Sequence, residues 1–115
     1  MQKNTYGKRS EIIASDFLKQ KGYKILELNY KNKIGEIDII AQDGEYLVFV
    51  EVKARLSQSF GNPLEAIDYK KQQKIRSVAS LYLMQKRKID NLSRFDAVSI
   101  IGIENPQIDH IIDAF

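Results

Sequence analysis

Apolar positions change period along this chain, and the changes divide it into elements. Between residues 8 and 21, Ile13, Ala14, Phe17 and Leu18 recur at the spacing of one helix face, and Gly22 is placed to stop that helix. The stretch "YKILELNY" (23–30) alternates apolar and polar residues as a strand does, and 35–41 and 46–53 read as two more strands. Asp43-Gly44 between the last two is a hairpin signal, which sets Gln42 opposite Glu45. "ARLSQSFGN" (54–62) is a polar loop. Asn62-Pro63 then predicts the start of a long helix, with Asn62 as cap and Glu65 in capping-box position. Leu64, Ile67, Ile75, Val78, Ala79 and Tyr82 form its buried face. "RFDAVSII" (94–101) is a fourth strand, Asn105-Pro106 turns the chain, and 107–113 holds a short fifth. The order α-β-β-β-α-β-β predicts an α/β fold, a central mixed sheet with helices packed on it.

The hairpin carries charge where a sheet centre should be apolar. Leu47, Phe49, Glu51 and Lys53 share one face of their strand, and Tyr46, Val48, Val50 and Val52 share the other. Both faces are apolar for most of their length, so the strand is central and covered on both sides. With the turn at Asp43-Gly44, Asp38 lies opposite Phe49 and Glu36 opposite Glu51. That sets Asp38 diagonal to Glu51 on one face, with backbones roughly 7–8 Å apart. An odd loop would send Asp38 to the other face, so any site here depends on register. Converging carboxylates repel and resist burial, so a positive group should compensate. Lys53 is one candidate. A divalent cation is the other, and hard oxygen donors without His or Cys favour Mg2+ or Mn2+. Spacing alone leaves both readings open: a network of strand-end ion pairs, or a metal site.

Composition sets the frame. At 115 residues the chain is long enough for one domain, taken as 1–115, and too short for two. With 43% hydrophobic and 29% charged residues it fits an ordinary soluble protein. It has no membrane-length apolar run, the first residues show no signal-peptide core, and a cytoplasmic location is expected. Without cysteine, neither a disulfide nor a thiolate metal site can form. Charge is distributed in blocks: residues 1–33 carry net +5, 34–52 net −5, 53–88 net +7 and 89–115 net −4. An acidic hairpin thus lies between two basic segments. If they also flank it in space, its rim would attract a polyanion while its centre holds a cation.

Asp38, followed after twelve residues by Glu51-Val52-Lys53, looks like the D…ExK core of restriction-endonuclease-like nucleases. The wider sequence resembles the YraN-type family of small endonuclease-like proteins, distantly similar to archaeal Holliday-junction resolvases. The matching pieces run in order over nearly the whole chain: "GKRSE", "FLKQKGYKIL", Asn29, "GEIDII", "VFVEVKAR", "FGNPLEAI", "KKQQKI", "ASLYL", "RFDAVSI" and "IIDAF". Ser10 stands where the family commonly has glycine. The resemblance implies a restriction-endonuclease-like fold and Mg2+-dependent hydrolysis of phosphodiester bonds in DNA, with branched DNA suggested by the resolvases. It implies that Asp38 and Glu51 ligate the metal with the backbone carbonyl of Val52. Lys53 would orient the attacking water and stabilise charge on the phosphate. Glu11 would reach in from the first helix as a further ligand. A favourable charge in the first turn of that helix is the competing reading of Glu11.

Other residues carry weaker signals. Lys71 and Lys74, at the edge of the long helix's apolar stripe, can reach a phosphate or the acidic site, although lysines so placed more often extend to water. Arg55, with Gln58 and Ser59, sits beside the proposed site and can contact a nucleic-acid backbone. Glu36 can support the site or pair with a lysine. Arg94 and Asp96 suit an ion pair on one strand face, and His110 reads as structural. Two alternatives to a nuclease stand beside it: a nucleic-acid-binding module of the same fold without turnover, and a protein-interaction domain. A symmetric duplex or junction would suit a homodimer.

Overall fold

The structure is a computed structural model, and it describes residues 5–57 and 67–115, the side chains of Thr5 and Tyr6 excepted. Helix α1 (Thr5–Gln20) is followed by strands β1 (Lys24–Lys31), β2 (Glu36–Asp43) and β3 (Tyr46–Arg55). Helix α2 (Tyr69–Gln85) and strands β4 (Leu92–Ile101) and β5 (Gln107–Ile111) complete the chain. The five strands form one mixed sheet in the order β1-β2-β3-β4-β5. Only the β3–β4 pair is parallel, because α2 provides the crossover between them. The α/β class and the order of elements are as the sequence predicts.

β3 is central, and the two helices cover opposite faces of the sheet. Ala14 and Leu18 of α1 pack with Ile39, Ala41, Val48, Val50, Val98 and Ile100. Ile75, Val78, Ala79 and Tyr82 of α2 pack with Ile40, Leu47 and Phe49. The even and odd positions of β3 therefore separate as expected. Gly22 ends α1 with φ at 98°. Its N–H reaches the Lys19 carbonyl, and that of Tyr23 reaches Leu18, the paired bonds of a Schellman stop.

Two expectations need correction. The helix start predicted at Asn62-Pro63 lies outside the described residues, as do Leu64 and Glu65, but Ile67 and Asp68 are not helical. α2 begins at Tyr69, capped by Asp68, whose carboxylate accepts the Lys71 N–H at 2.8 Å. The hairpin register is also displaced by two residues. Asp43 pairs with Tyr46 and Gln42 with Leu47, so the turn is Gly44-Glu45. Gly44, with φ at 58°, holds the position where a type II′ turn takes glycine. A displacement of two preserves the parity of the pairing, so Asp38 and Glu51 still fall in register on one face. It removes Glu36 from Glu51, and the β1 partner of Glu36 is Lys31.

Candidate metal centre and lysine cleft

The β2–β3 ladder ends at the pair Ile39–Val50. Its next row would be Asp38 and Glu51, directly opposite rather than diagonal. There the strands stop exchanging backbone bonds, and the Asp38 carboxylate accepts the Val52 N–H at 2.8 Å. A side chain thus occupies the place of a ladder carbonyl. Alternation also fails at this row: Ile37 and Ile40 both pack toward α2, whereas Ile39 packs toward α1. On a regular strand, residues three apart face opposite sides. The same row of β1 holds Asn29, between the pairs Leu28–Ile39 and Tyr30–Ile37, with a left-handed φ of 53°. Two adjacent strands turn over together, and the gap opens the sheet to groups from both helices.

Glu51 is buried, 5% exposed, on the α2 side of β3. Its carboxylate and that of Asp38 are close enough to share a hydrogen bond. Burial, reinforced by the Glu51 charge, pushes Asp38 up to about 8, against the opposing pull of the Val52 N–H. The magnitudes explain the direction. Like charges 4 Å apart repel by about 4 kcal/mol at an effective dielectric near 20. A hydrogen bond to a charged group contributes only about 1.5–3 kcal/mol. Two ammonium groups offset part of the deficit, and both meet Glu51 at Oε2: Lys71 Nζ at 3.1 Å and Lys53 Nζ at 3.6 Å. For Lys71, burial works against its charge, but Glu51 outweighs it and the net direction is upward.

Glu11 approaches from α1. Burial raises its pKa, a hydrogen bond from the Asn29 side chain opposes this, and the Glu36 and Glu51 charges add to the rise. Glu11 does not complete a third carboxylate: among the described residues no three Asp, Glu, His or Cys side chains cluster as a metal site. The donor set is the Asp38–Glu51 pair, which is the one or two carboxylates that Mg2+ usually takes, with water and phosphate filling the rest of its shell. Two adjacent acids, Glu51 buried and Asp38 half-buried and held high by burial and by Glu51, are a donor set that a divalent cation fits.

A cleft of about 700 Å³ opens beside the pair. Among the described residues six lysines line it: Lys31 and Lys33 from the end of β1 and its following loop, Lys53 from β3, and Lys70, Lys71 and Lys74 from α2. Glu36 and Asp68 are its acidic residues among those described. The two basic segments of the sequence thus do flank the acidic hairpin in space. Asn32 fixes the loop that carries Lys33. Its Oδ1 accepts the Ile34 N–H at 2.9 Å, and its Nδ2 donates to the Val78 carbonyl of α2 at 3.2 Å. Gly35 makes room for the same contact, since a Cβ there would sit 3.1 Å from Lys74 Cε and 3.2 Å from Val78 Cγ2.

Of the residues singled out in the sequence, Asp38, Glu51, Val52, Lys53 and Lys71 come together, and Lys74 lines the cleft. Arg55 does not line it. It ends β3, where its carbonyl accepts the Gly102 N–H at 2.9 Å, and Gln58 and Ser59 lie outside the described residues. The sequence reading missed the parts of Asn29, Asn32, Lys31, Lys33 and Lys70. Asn29 was visible only as one matching letter, and the lysines only as a share of net charge.

On the α1 face of the sheet, in β4 beside Val50, Asp96 is fully buried and fully partnered. It accepts from Arg94 Nε at 2.9 Å, Arg94 Nη2 at 3.0 Å, His110 Nε2 at 2.8 Å and the Asp113 N–H at 3.0 Å. Lys21 Nζ lies 2.7 Å from His110 Nδ1. An ammonium only donates, so Nδ1 accepts and Nε2 carries the proton given to Asp96. The expected Arg94–Asp96 pair and the structural part of His110 both hold.

An α/β sheet with a carboxylate pair at a strand gap and a lysine-lined cleft beside it defines the class of protein. The chain belongs to the uncharacterised protein family UPF0102, whose model matches residues 10–100. The UPF0102 protein of Thermodesulfovibrio yellowstonii is 47% identical over 109 residues, covering 95% of this chain and 94% of the relative. That of Alkaliphilus metalliredigens is 45% identical over 109 residues, 95% of this chain and 96% of the relative. That of Clostridioides difficile is 43% identical over 115 residues, the full length of both. No helix among the described residues is long and apolar enough to cross a membrane.

Proposed function

We propose that this protein is a Mg2+-dependent nuclease that hydrolyses phosphodiester bonds in DNA, branched DNA included. One observation carries the reading: the half-buried Asp38 and the buried Glu51 carboxylates converge beside Lys53 at the side of a cleft lined by six lysines. Asp38 and Glu51 would hold the metal with the Val52 carbonyl. When bound, the metal would supply an acidified water and polarise a phosphoryl oxygen. Lys53 would orient the attacking water and neutralise charge on the phosphate. Lys31, Lys33, Lys70 and Lys74 would hold neighbouring phosphates of the strand, so that positioning and charge neutralisation do most of the work.

A second reading is a nucleic-acid-binding module without turnover. It is favoured by the contact of two ammonium groups with Glu51, which leaves the site partly compensated with no metal. The test is cleavage of linear, flapped and four-way DNA with Mg2+, Mn2+ or EDTA, by wild type and by Asp38→Ala, Glu51→Ala and Lys53→Ala. The nuclease reading expects metal-dependent cutting that all three variants lose. Binding without cutting under every condition contradicts it and supports the module.

A further inference from the structure

Lys71 lies closer to Glu51 than Lys53 does, although Lys53 is two residues away on the same strand face. Its ammonium contacts Glu51 Oε2 at 3.1 Å, against 3.6 Å for Lys53. It also feels the Asp38 charge, so it stands within the cluster and not at its rim. Its other surroundings differ. The side chain is 44% exposed, springs from the first turn of α2, and lines the cleft between Lys70 and Lys74. Lys53 is more enclosed, at 25%. Lys71 thus has one end of its range on the carboxylates and the other in the cleft.

We infer that Lys71 is a resident cation that occupies the carboxylate pair until a divalent metal displaces it, and that its ammonium then turns into the cleft as a phosphate ligand. The inference rests on the nuclease reading of the pair and adds an order of events to it. A divalent cation between Asp38 and Glu51 and an ammonium on Glu51 are like charges within a few ångströms, so each disfavours the other. The coupling is reciprocal: whatever the ammonium gives the metal-free pair, the metal must overcome. The four-carbon stem lets the ammonium move without moving the helix.

The test is the affinity for Mn2+ without nucleic acid, by calorimetry or by electron paramagnetic resonance of free Mn2+, for wild type, Lys71→Met, Lys71→Gln and Lys71→Arg. Loss of the resident charge should tighten Mn2+ binding on the order of tenfold in the Met and Gln variants, within the usual span of coupled sites. The Arg variant should stay near wild type. Unchanged or weaker binding in both neutral variants overturns the inference, since a lysine that merely braces Glu51 would help the metal. Absence of Mn2+ binding in all four proteins would instead overturn the nuclease reading and this inference with it. The hand-off has its own readout in affinity for a short duplex. Lys71→Met should weaken binding several-fold in Ca2+ and leave it unchanged in EDTA. An equal effect in both conditions contradicts the hand-off.

Discussion

Two aspartates lie in the same sheet, one half-buried and one fully buried, and their neighbours drive them in opposite directions. Asp96 is pulled below the ordinary carboxylate range: burial would raise it, but the His110 and Arg94 hydrogen bonds and the Asp113 N–H outweigh that. Asp38 is pushed up to about 8, because burial and then the Glu51 carboxylate both raise it and the Val52 N–H is its main relief. Asp96 is satisfied from every side and ties β4 to β5. Asp38 sits where the ladder has been opened, and among the described residues the Lys53 and Lys71 ammonium groups meet Glu51 and not Asp38. Protein interiors tolerate a buried charge when partners are built around it. A charge left short of partners beside a cleft is a stronger pointer to function.

The largest expected effect of breaking this contrast falls on the pair. Asp38→Asn or Glu51→Gln should lower metal-dependent cleavage by on the order of 10²–10³-fold or more, the scale seen when a preorganised charge-stabilising group is lost. Both variants should stay folded, because each removes a repulsion, and a melting curve beside the cleavage assay checks this. Asp96→Ala should do the reverse. It orphans His110 and part of Arg94, and should cost about 3–5 kcal/mol of stability, read from urea unfolding. Below its melting temperature the variant should still bind Mn2+.

The pH dependence has opposite signs at the two sites. Asp38 binds its proton more tightly folded than unfolded. Metal-free stability should therefore fall as pH rises from about 4 to about 8, the span between its ordinary value and its folded one. Asp96 is depressed, so its contribution is present above the ordinary value and is lost on acidification through its lower folded value. Asp38→Asn should abolish the first slope and keep the second. Melting temperatures from pH 3 to pH 9 in EDTA measure both.

The smallest expected effect comes from Gly35→Ala. The new methyl crowds Lys74 and Val78. It should cost about 1 kcal/mol, at the low end for overpacking, since the lysine stem can shift. DNA affinity should drop modestly and the salt slope should stay nearly constant. Replacing Lys70 or Lys74 by alanine should instead reduce that slope by about one.

How much of this the sequence discloses depends on how local each cause is. Strand faces are legible, because alternation is local and a two-residue slip preserves it. The register is not. The Asp43-Gly44 signal is real, but β2 continues through Asp43, which meets Arg94 across the sheet at 3.1 Å. The convergence of Asp38 and Glu51 therefore follows from the pattern, while the gap that frees them does not. That gap needs Asn29 and Asp38 to turn over in one row, a relation between two strands. Lys71 shows the same limit. Helical spacing marks it as a stripe-edge lysine, for which water is the usual destination. Only the packing of α2 over the end of β3 turns it onto Glu51. The Asn62-Pro63 signal drew the helix start away from Asp68, which the described residues show to be the cap.

The most direct test is an anomalous difference map from a crystal soaked in Mn2+. The account predicts a peak between the carboxylates of Asp38 and Glu51, with the Lys71 ammonium gone from Glu51. A peak elsewhere, or none while Lys71 stays in place, would contradict it.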